Sequence, residues 1–293
     1  MVTIGAHVSA QGGICSAFDR ALEIGAEAVQ IHPTPPQTWR RLHPTEEEVA
    51  TFKRRMAETH LGAFFFHAVY LINLATAKED LLAQSRGSLR HSLEMANLLG
   101  VRGVIFHPGS HKGQGFEPVL PQMAEAMRTA LAESEGASLL LIENSAGSGA
   151  NIGSSFTQIA AMMEAVDDPR VGLCLDTAHA FTAGYDLRSP EGLGRMVTEL
   201  GQEVGFERLH AIHANDSKAP FASNVDRHQN IGDGEIGAEG FRRLLADPQL
   251  QRAPFILEVP GLERQGPDRA NVERLRELAG LPPLPSPASA PLA

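Results

Sequence analysis

Seven short apolar runs in this chain each end on a His, Asp or Glu. His7 closes TIGAH, His67 closes GAFFFH, His107 closes GVIFH, Glu143 closes LLLIE, Asp176 closes GLCLD, His213 closes HAIH and Glu258 closes FILE. An apolar run is buried along its length, so a polar residue at the same end of each gathers imidazoles and carboxylates at one end of a bundle of strands. These are the residue types that bind zinc. Two further spacings add donors in what are expected to be loops that follow strands: Asp176-Thr-Ala-His179 and Asp226-Arg227-His228. The candidate set is then His67, His107, Glu143, Asp176, His179, His213, Asp226, His228 and Glu258. Structural zinc takes about four protein ligands and catalytic zinc about three plus water, so nine donors suit two or three metals with open positions. One carboxylate would bridge a pair, and Glu143 lies in the middle of the strand order.

The elements that must position these residues alternate regularly. Strands are predicted near 3–7, 28–32, 63–67, 103–107, 139–143, 171–176, 209–213 and 254–258. Helix-like segments are predicted near 13–25, 46–60, 78–99, 118–135, 155–166, 190–204, 237–246 and 268–279, with Thr45 as the N-cap of the second. Eight β/α alternations with short connections imply parallel strands closed into a single-domain TIM (β/α)8 barrel over 1–280, with an open doubly wound sheet as the competing fold. Barrel enzymes carry their chemistry at the C-terminal ends of the strands, where these polar residues fall. The Pro- and Ala-rich stretch 281–293 has no periodic pattern and is predicted to be a disordered tail.

Composition narrows the function classes. The chain has 293 residues, 43% hydrophobic and 20% charged, in the range of a soluble globular protein. It has no run of about 18 apolar residues and no basic-then-apolar leader, so the expectation is a cytoplasmic protein without membrane contact. Two cysteines, Cys15 and Cys174, form no ligand spacing, and Cys174 reads as a small buried hydrophobe. A net charge of −10 argues against a nucleic-acid partner, but that figure omits bound divalent ions, which would concentrate positive charge in one cleft.

The segments IGAHVSAQGG, YLINLA, HPGSH, IEN, DTAHAFTAGYD, HANDSK, VDRH, IGDGEIG and ILEVP resemble the endonuclease IV family of apurinic/apyrimidinic (AP) endonucleases, in order from residue 4 to 260. The resemblance implies a zinc-dependent enzyme that hydrolyses double-stranded DNA 5′ to an abasic site. It would leave a 3′-hydroxyl and a 5′-deoxyribose phosphate, and would also remove 3′ blocking groups. It implies three Zn2+ ions, with Mn2+ as an alternative at one site. Carried over by position, His67, His107 and Glu143 would hold one ion. Glu143 would bridge to a second, held also by Asp176, His213 and Glu258, and His179, Asp226 and His228 would hold the third.

On the same reading Glu143 and Glu258 are catalytic as well as ligating. Tyr70 and Leu71 match the loop that wedges into damaged DNA. His111, Lys218 and Arg227, with Arg188, are expected at phosphates, and His7 is expected behind the ligands, orienting one of them or touching phosphate. Gln37 stands where the family usually has an inserting Arg, and Pro33, Pro35 and Pro36 stiffen that loop, so weaker affinity or a shifted preference among damaged substrates is expected. The remaining histidines, 32, 43, 60, 91 and 210, read as surface or packing residues. The protein is expected to be a monomer, because a duplex needs open access to the cleft.

Three other readings compete. A TIM-barrel sugar isomerase or epimerase also places His, Glu and Asp around one or two divalent metals, but has no use for the Asp226/His228 pair. A non-catalytic damage binder would close its zinc sites. A dinucleotide enzyme is suggested by Gly147, Gly149 and Gly153, although their spacing misses the fingerprint by one residue.

Overall fold

A computed structural model describes residues 2–285. Eight strands close into a parallel barrel: β1 (Ile4–His7), β2 (Ala28–Ile31), β3 (Ala63–His67), β4 (Gly103–Phe106), β5 (Leu139–Glu143), β6 (Val171–Asp176), β7 (Leu209–His213) and β10 (Phe255–Leu257). Neighbours follow sequence order around the ring, and β10 closes it against β1. The outer helices are α1 (Ser16–Ile24), α2 (Glu46–Glu58), α3 (Glu79–Leu99), α4 (Phe116–Ala132), α5 (Phe156–Val166), α7 (Pro190–Glu203), α8 (Gly237–Ala246) and α9 (Arg269–Leu278). The chain is therefore a TIM barrel, the expected fold. None of its described helices is long and apolar enough to cross a membrane.

Local chemistry sets the helix starts. Thr45 caps α2 with a reciprocal box: its hydroxyl accepts the Glu48 N–H at 3.2 Å, and the Glu48 carboxylate accepts the Thr45 N–H at 2.7 Å. Ser155, Ser189 and Asp268 cap α5, α7 and α9 in the simpler way.

The pleat explains the run endings. Side chains alternate faces along a strand, so residues two apart share a face. Phe65, Ile105, Leu141, Cys174, Ala211 and Ile256 point inward and, with Ala28 and Ala63, fill the barrel beneath its mouth. Two residues on from the first six of these lie His67, His107, Glu143, Asp176, His213 and Glu258. Each is thus the next inward position above a sealed apolar layer. Gln30 stands in the same relation to Ala28, and His7 to Gly5.

Two elements differ from expectation. The Asp176–His179 segment is not a loop: α6 (Thr177–Ala183) begins directly after β6, because the Asp176 carboxylate accepts the His179 N–H at 2.8 Å and caps the helix. His228 does not lie in irregular chain either. It belongs to an antiparallel ribbon of β8 (Asp216–Ser217) and β9 (His228–Gln229) between β7 and α8. Of the stretch 281–293, residues 286–293 lie outside the described part. Before them the Leu281 N–H donates to the Arg276 carbonyl at 2.9 Å, and Leu284 packs on the core beside Gly25.

Close approach of β1 and β2 depends on Gly5. A Cβ there would lie 2.5 Å from the Ala28 carbonyl oxygen, which is backbone and cannot move aside alone. Gly5→Ala is expected to destabilise the protein by about 1–3 kcal/mol. Thermal melting should show a fall of several degrees, and an unchanged midpoint would contradict this packing.

Candidate metal centre

Donor atoms converge at the barrel mouth in three groups, each within 4.8 Å: His67, His107 and Glu143; Glu143, Asp176, His213 and Glu258; and Asp176, His179 and His228. Asp226 reaches the third group from the loop above. Its carboxylate oxygens lie 3.2 Å from His179 Nε2 and 3.3 Å from His228 Nε2. All nine candidate donors therefore belong to one constellation, with Glu143 common to the first two groups. Asp176 stands between the second and third, so the partition there is less sharp than the resemblance implies. Asp226 is the outermost donor, its side chain 54% exposed.

Four of the five imidazoles are oriented by what their other nitrogen does. A carbonyl oxygen can only accept, so the nitrogen beside it carries the proton and leaves its partner bare. His67 Nδ1 donates to the Ala68 carbonyl at 2.8 Å, which turns Nε2 to Glu143 Oε2 at 3.0 Å. His179 Nδ1 donates to the Asn144 carbonyl at 2.9 Å, and its Nε2 faces Asp226. His213 Nε2 donates to Gln30 Oε1 at 2.8 Å, and its Nδ1 lies 3.0 Å from Glu143 and 3.2 Å from Glu258. His228 Nδ1 donates to the Glu258 carbonyl at 3.3 Å. Its buried Nε2 lies 3.3 Å from Asp226 and 3.7 Å from Asp176 without aligning on either.

Bare nitrogens aimed at carboxylate oxygens set lone pair against lone pair, and only a proton or a cation between them relieves it. The donor set therefore fits divalent metal, and zinc by ligand type. Without metal, protons take that place. Burial lowers the His228 pKa, but the close Asp226 and Asp176 carboxylates outweigh it and push it up to about 9. Burial likewise opposes protonation of His179 and His213, yet neighbouring acidic groups raise both well above the ordinary value. Burial pushes the Glu143 carboxyl up, while His107 and His213 pull it well below the usual range. His107, half-buried and without a hydrogen bond to Glu143, is lowered, chiefly by desolvation.

A supporting tier of three amides and a carboxylate is absent from the sequence reading. Gln30 is fully buried and donates to Glu258 Oε1 at 2.5 Å while accepting from His213, so it sets two donors at once. Asn215 donates to Asp176 Oδ2 at 2.7 Å and accepts the Glu258 N–H at 2.8 Å. Asn144 brackets the Asp176 backbone, accepting its N–H at 2.6 Å and donating to its carbonyl at 3.1 Å. Asp216, buried, accepts the N–H groups of Gly232, Gly234 and Ile236, each at 3.0 Å, and so ties down the segment that follows β9. Polar residues inside strands or just past their ends are the only signal for these positions, and it is not specific.

The other predicted residues stand outside the donor set. His7 Nδ1 is 3.1 Å from Glu258 Oε1 and 2.7 Å from Gln30 Nε2, behind the donors. Tyr70 stands at the rim with its ring 5.6 Å from that of His67, whereas Leu71 is half-buried and packs on the core. Lys218, Arg227 and Gln37 are exposed. His111 Nδ1 accepts the Gly113 and Gly115 N–H groups at 3.2 and 3.0 Å, capping a turn. Arg188 lies over the adjoining rings of Phe181 and Phe221 and binds Asp186. His32, expected to be a surface or packing residue, sits instead within the site, its ring 4.6 Å from His7 and 4.9 Å from His67. Burial, with His67 and His7 beside it, lowers its pKa to about 2. Cys174 lines the inner apolar layer, and burial pushes its thiol up to about 12. A cavity of about 380 Å³ opens over the donors, lined by His67, Tyr70, His107, His179, His228 and Glu258 among others.

Residues 18–278 match the family described as a xylose isomerase-like TIM barrel, which defines the class of the protein. Within that class the chain is 38% identical over 274 residues to a probable endonuclease 4 of Halothermothrix orenii, covering 93% of this chain and 99% of the relative. The crystal structure of endonuclease IV from Thermus thermophilus superposes with a TM-score of 0.83 at 35% identity, over 95% of this chain and 99% of that one. A D-tagatose 3-epimerase-like protein, at 17% identity and a TM-score of 0.66 over 94% and 96% of the two chains, shares the fold. The chain belongs to the endonuclease IV family.

Because His228 keeps its proton up to about pH 9 in the metal-free protein, metal must displace that proton at neutral pH. Affinity should rise with pH through the neutral range toward about 9. Titration calorimetry of zinc into metal-free protein, in two buffers of different ionisation enthalpy, should register release of at least one proton per chain. Binding without proton release would contradict the arrangement.

Proposed function

We propose that this protein is a zinc-dependent DNA repair nuclease that hydrolyses the phosphodiester 5′ to an abasic site in duplex DNA. Products are a 3′-hydroxyl and a 5′-deoxyribose phosphate, and blocked 3′ ends are processed at the same site. The observation that carries this reading is the third donor group, His179, Asp226 and His228, lying against a buried pair of groups that share Glu143. A sugar isomerase or epimerase on this fold needs one or two metals and leaves that group without a role. The family membership and the 38% identity to a probable endonuclease 4 point the same way.

In this reading His67, His107 and Glu143 hold one ion. Glu143, Asp176, His213 and Glu258 hold the second, and His179, Asp226 and His228 the third, with manganese as an alternative to zinc at one site. Zinc supplies Lewis acidity that acidifies water at neutral pH and neutralises phosphate charge. The chain's own residues supply position. Glu143 and Glu258 orient the attacking water as well as holding ligand positions; as its oxygen bonds to phosphorus the bond to the 3′ oxygen breaks, and the proton the water loses is balanced by the one the departing 3′ oxygen takes up to become the 3′-hydroxyl. Gln30 and His7 fix the Glu258 oxygen they contact. Tyr70, with Leu71 packed behind it, presses into the gap left by an extruded abasic nucleotide. Lys218, Arg227 and the free Nε2–H of His111 touch phosphates, and Gln37 lies in the neighbouring Pro-rich loop facing the duplex. The protein acts as a monomer.

Zinc-loaded protein should incise an abasic duplex on the 5′ side of the lesion and lose this activity to a chelator. Failure to cut, or cutting that a chelator leaves untouched, would overturn the reading. Glu258→Gln should lower turnover about a hundredfold or more. Wild-type turnover at full metal content would remove Glu258 from the catalytic group.

A further inference from the structure

His32 closes the C-terminal end of β2, one residue beyond its last paired position, Ile31. Its Nδ1 lies 3.1 Å from the His67 carbonyl oxygen, and its Nε2 lies 3.2 Å from the Tyr70 hydroxyl. The carbonyl can only accept, so Nδ1 carries the proton and the neutral ring offers a lone pair at Nε2. The Tyr70 O–H then donates to it. The two rings meet edge to face, with centroids 5.0 Å apart at 77°. Tyr70 is gripped a second time from the same side: its backbone N–H donates to the Pro36 carbonyl at 3.0 Å. The loop that carries Tyr70 is also stitched at its base, where Asn73 Oδ1 accepts the Ser110 N–H at 3.1 Å and Asn73 Nδ2 donates to the Ser110 carbonyl at 3.0 Å.

An exposed tyrosine normally samples rotamers freely, and ordering one on binding weakens affinity. Tyr70 is 52% exposed, yet its backbone and its hydroxyl are both held by the segment that follows β2. We propose that His32 is a positioning residue that fixes Tyr70 as a pre-oriented platform at the cavity rim, against which the unstacked bases beside an abasic nucleotide pack. This inference rests on the proposed reading that the site acts on abasic duplex DNA. It adds a residue outside the donor set, acting through Tyr70 and not through the metals.

The test compares wild type, His32→Phe, Tyr70→Phe and the double variant, each zinc-loaded. Tyr70→Phe keeps the ring and loses only the hydroxyl, so it reports even if His32→Phe fails to fold. Each single variant should bind an abasic duplex about three- to tenfold more weakly, at unchanged zinc content. The double variant should be no weaker than either single one, because both remove the same hydrogen bond. Unchanged affinity in Tyr70→Phe, additive losses in the double variant, or zinc loss confined to His32→Phe would each overturn the inference, the last by moving the role of His32 to the His67 donor. If wild type itself does not prefer abasic over intact duplex, it is the reading of the site that fails.

Discussion

A single buried carboxylate organises this molecule. Glu143 is 1% exposed at the mouth of an apolar barrel, where an unpaired charge is strongly disfavoured. Its oxygens lie 3.0 to 3.4 Å from nitrogens of His67, His107, His179 and His213, which come from two strands, the residue just past a third, and a helix. Those imidazoles are in turn approached by Asp176, Asp226 and Glu258, so acid and base alternate outward from the centre. Such a cluster is tolerable only with positive charge inside it, as protons or as metal. The bare nitrogens fit the second, and on that fit rests the proposal of a polynuclear zinc centre.

The rest of the fold makes this geometry repeatable. Parallel strands all point the same way and the pleat turns every second residue inward, so the donors gather at one end although the pairing is staggered, with His67 opposite Ile105, Glu143 opposite Cys174 and His213 opposite Ile256. Beneath the donors, a layer including Phe65, Leu141 and Ile256 seals the barrel and keeps water from reaching Glu143 from below. Beside them, Gln30, Asn144 and Asn215 convert backbone and side-chain amides into fixed orientations for Glu258, His213 and Asp176. For these three donors, ligand and support residues come from different segments of the chain.

Much of the architecture is legible in the sequence because it obeys a local rule. A run ending in a polar residue declares both a strand and its direction, so eight strands and the inward placement of six donors follow from pattern. The Thr45 cap is legible for the same reason. Features decided by partners far along the chain are not. Whether Asp176 begins a loop or a helix depends on its carboxylate capping the His179 amide, and the β8–β9 ribbon depends on pairing across a long excursion. His32 reads as a packing residue because its role is written in Tyr70 and the His67 carbonyl, neither adjacent to it in sequence. Gln30 carries no signal beyond being a polar residue within an apolar strand.

The claim most open to direct measurement is that the nine donors are ligands of one polynuclear centre. Anomalous diffraction at the zinc absorption edge, on crystals of zinc-loaded protein, addresses it without reference to any substrate. Three peaks are expected at the mouth: one among His67, His107 and Glu143, one among Glu143, Asp176, His213 and Glu258, and one among His179, Asp226 and His228. Loaded crystals with no peak among these residues, or with zinc only at surface sites remote from Glu143, would contradict the claim.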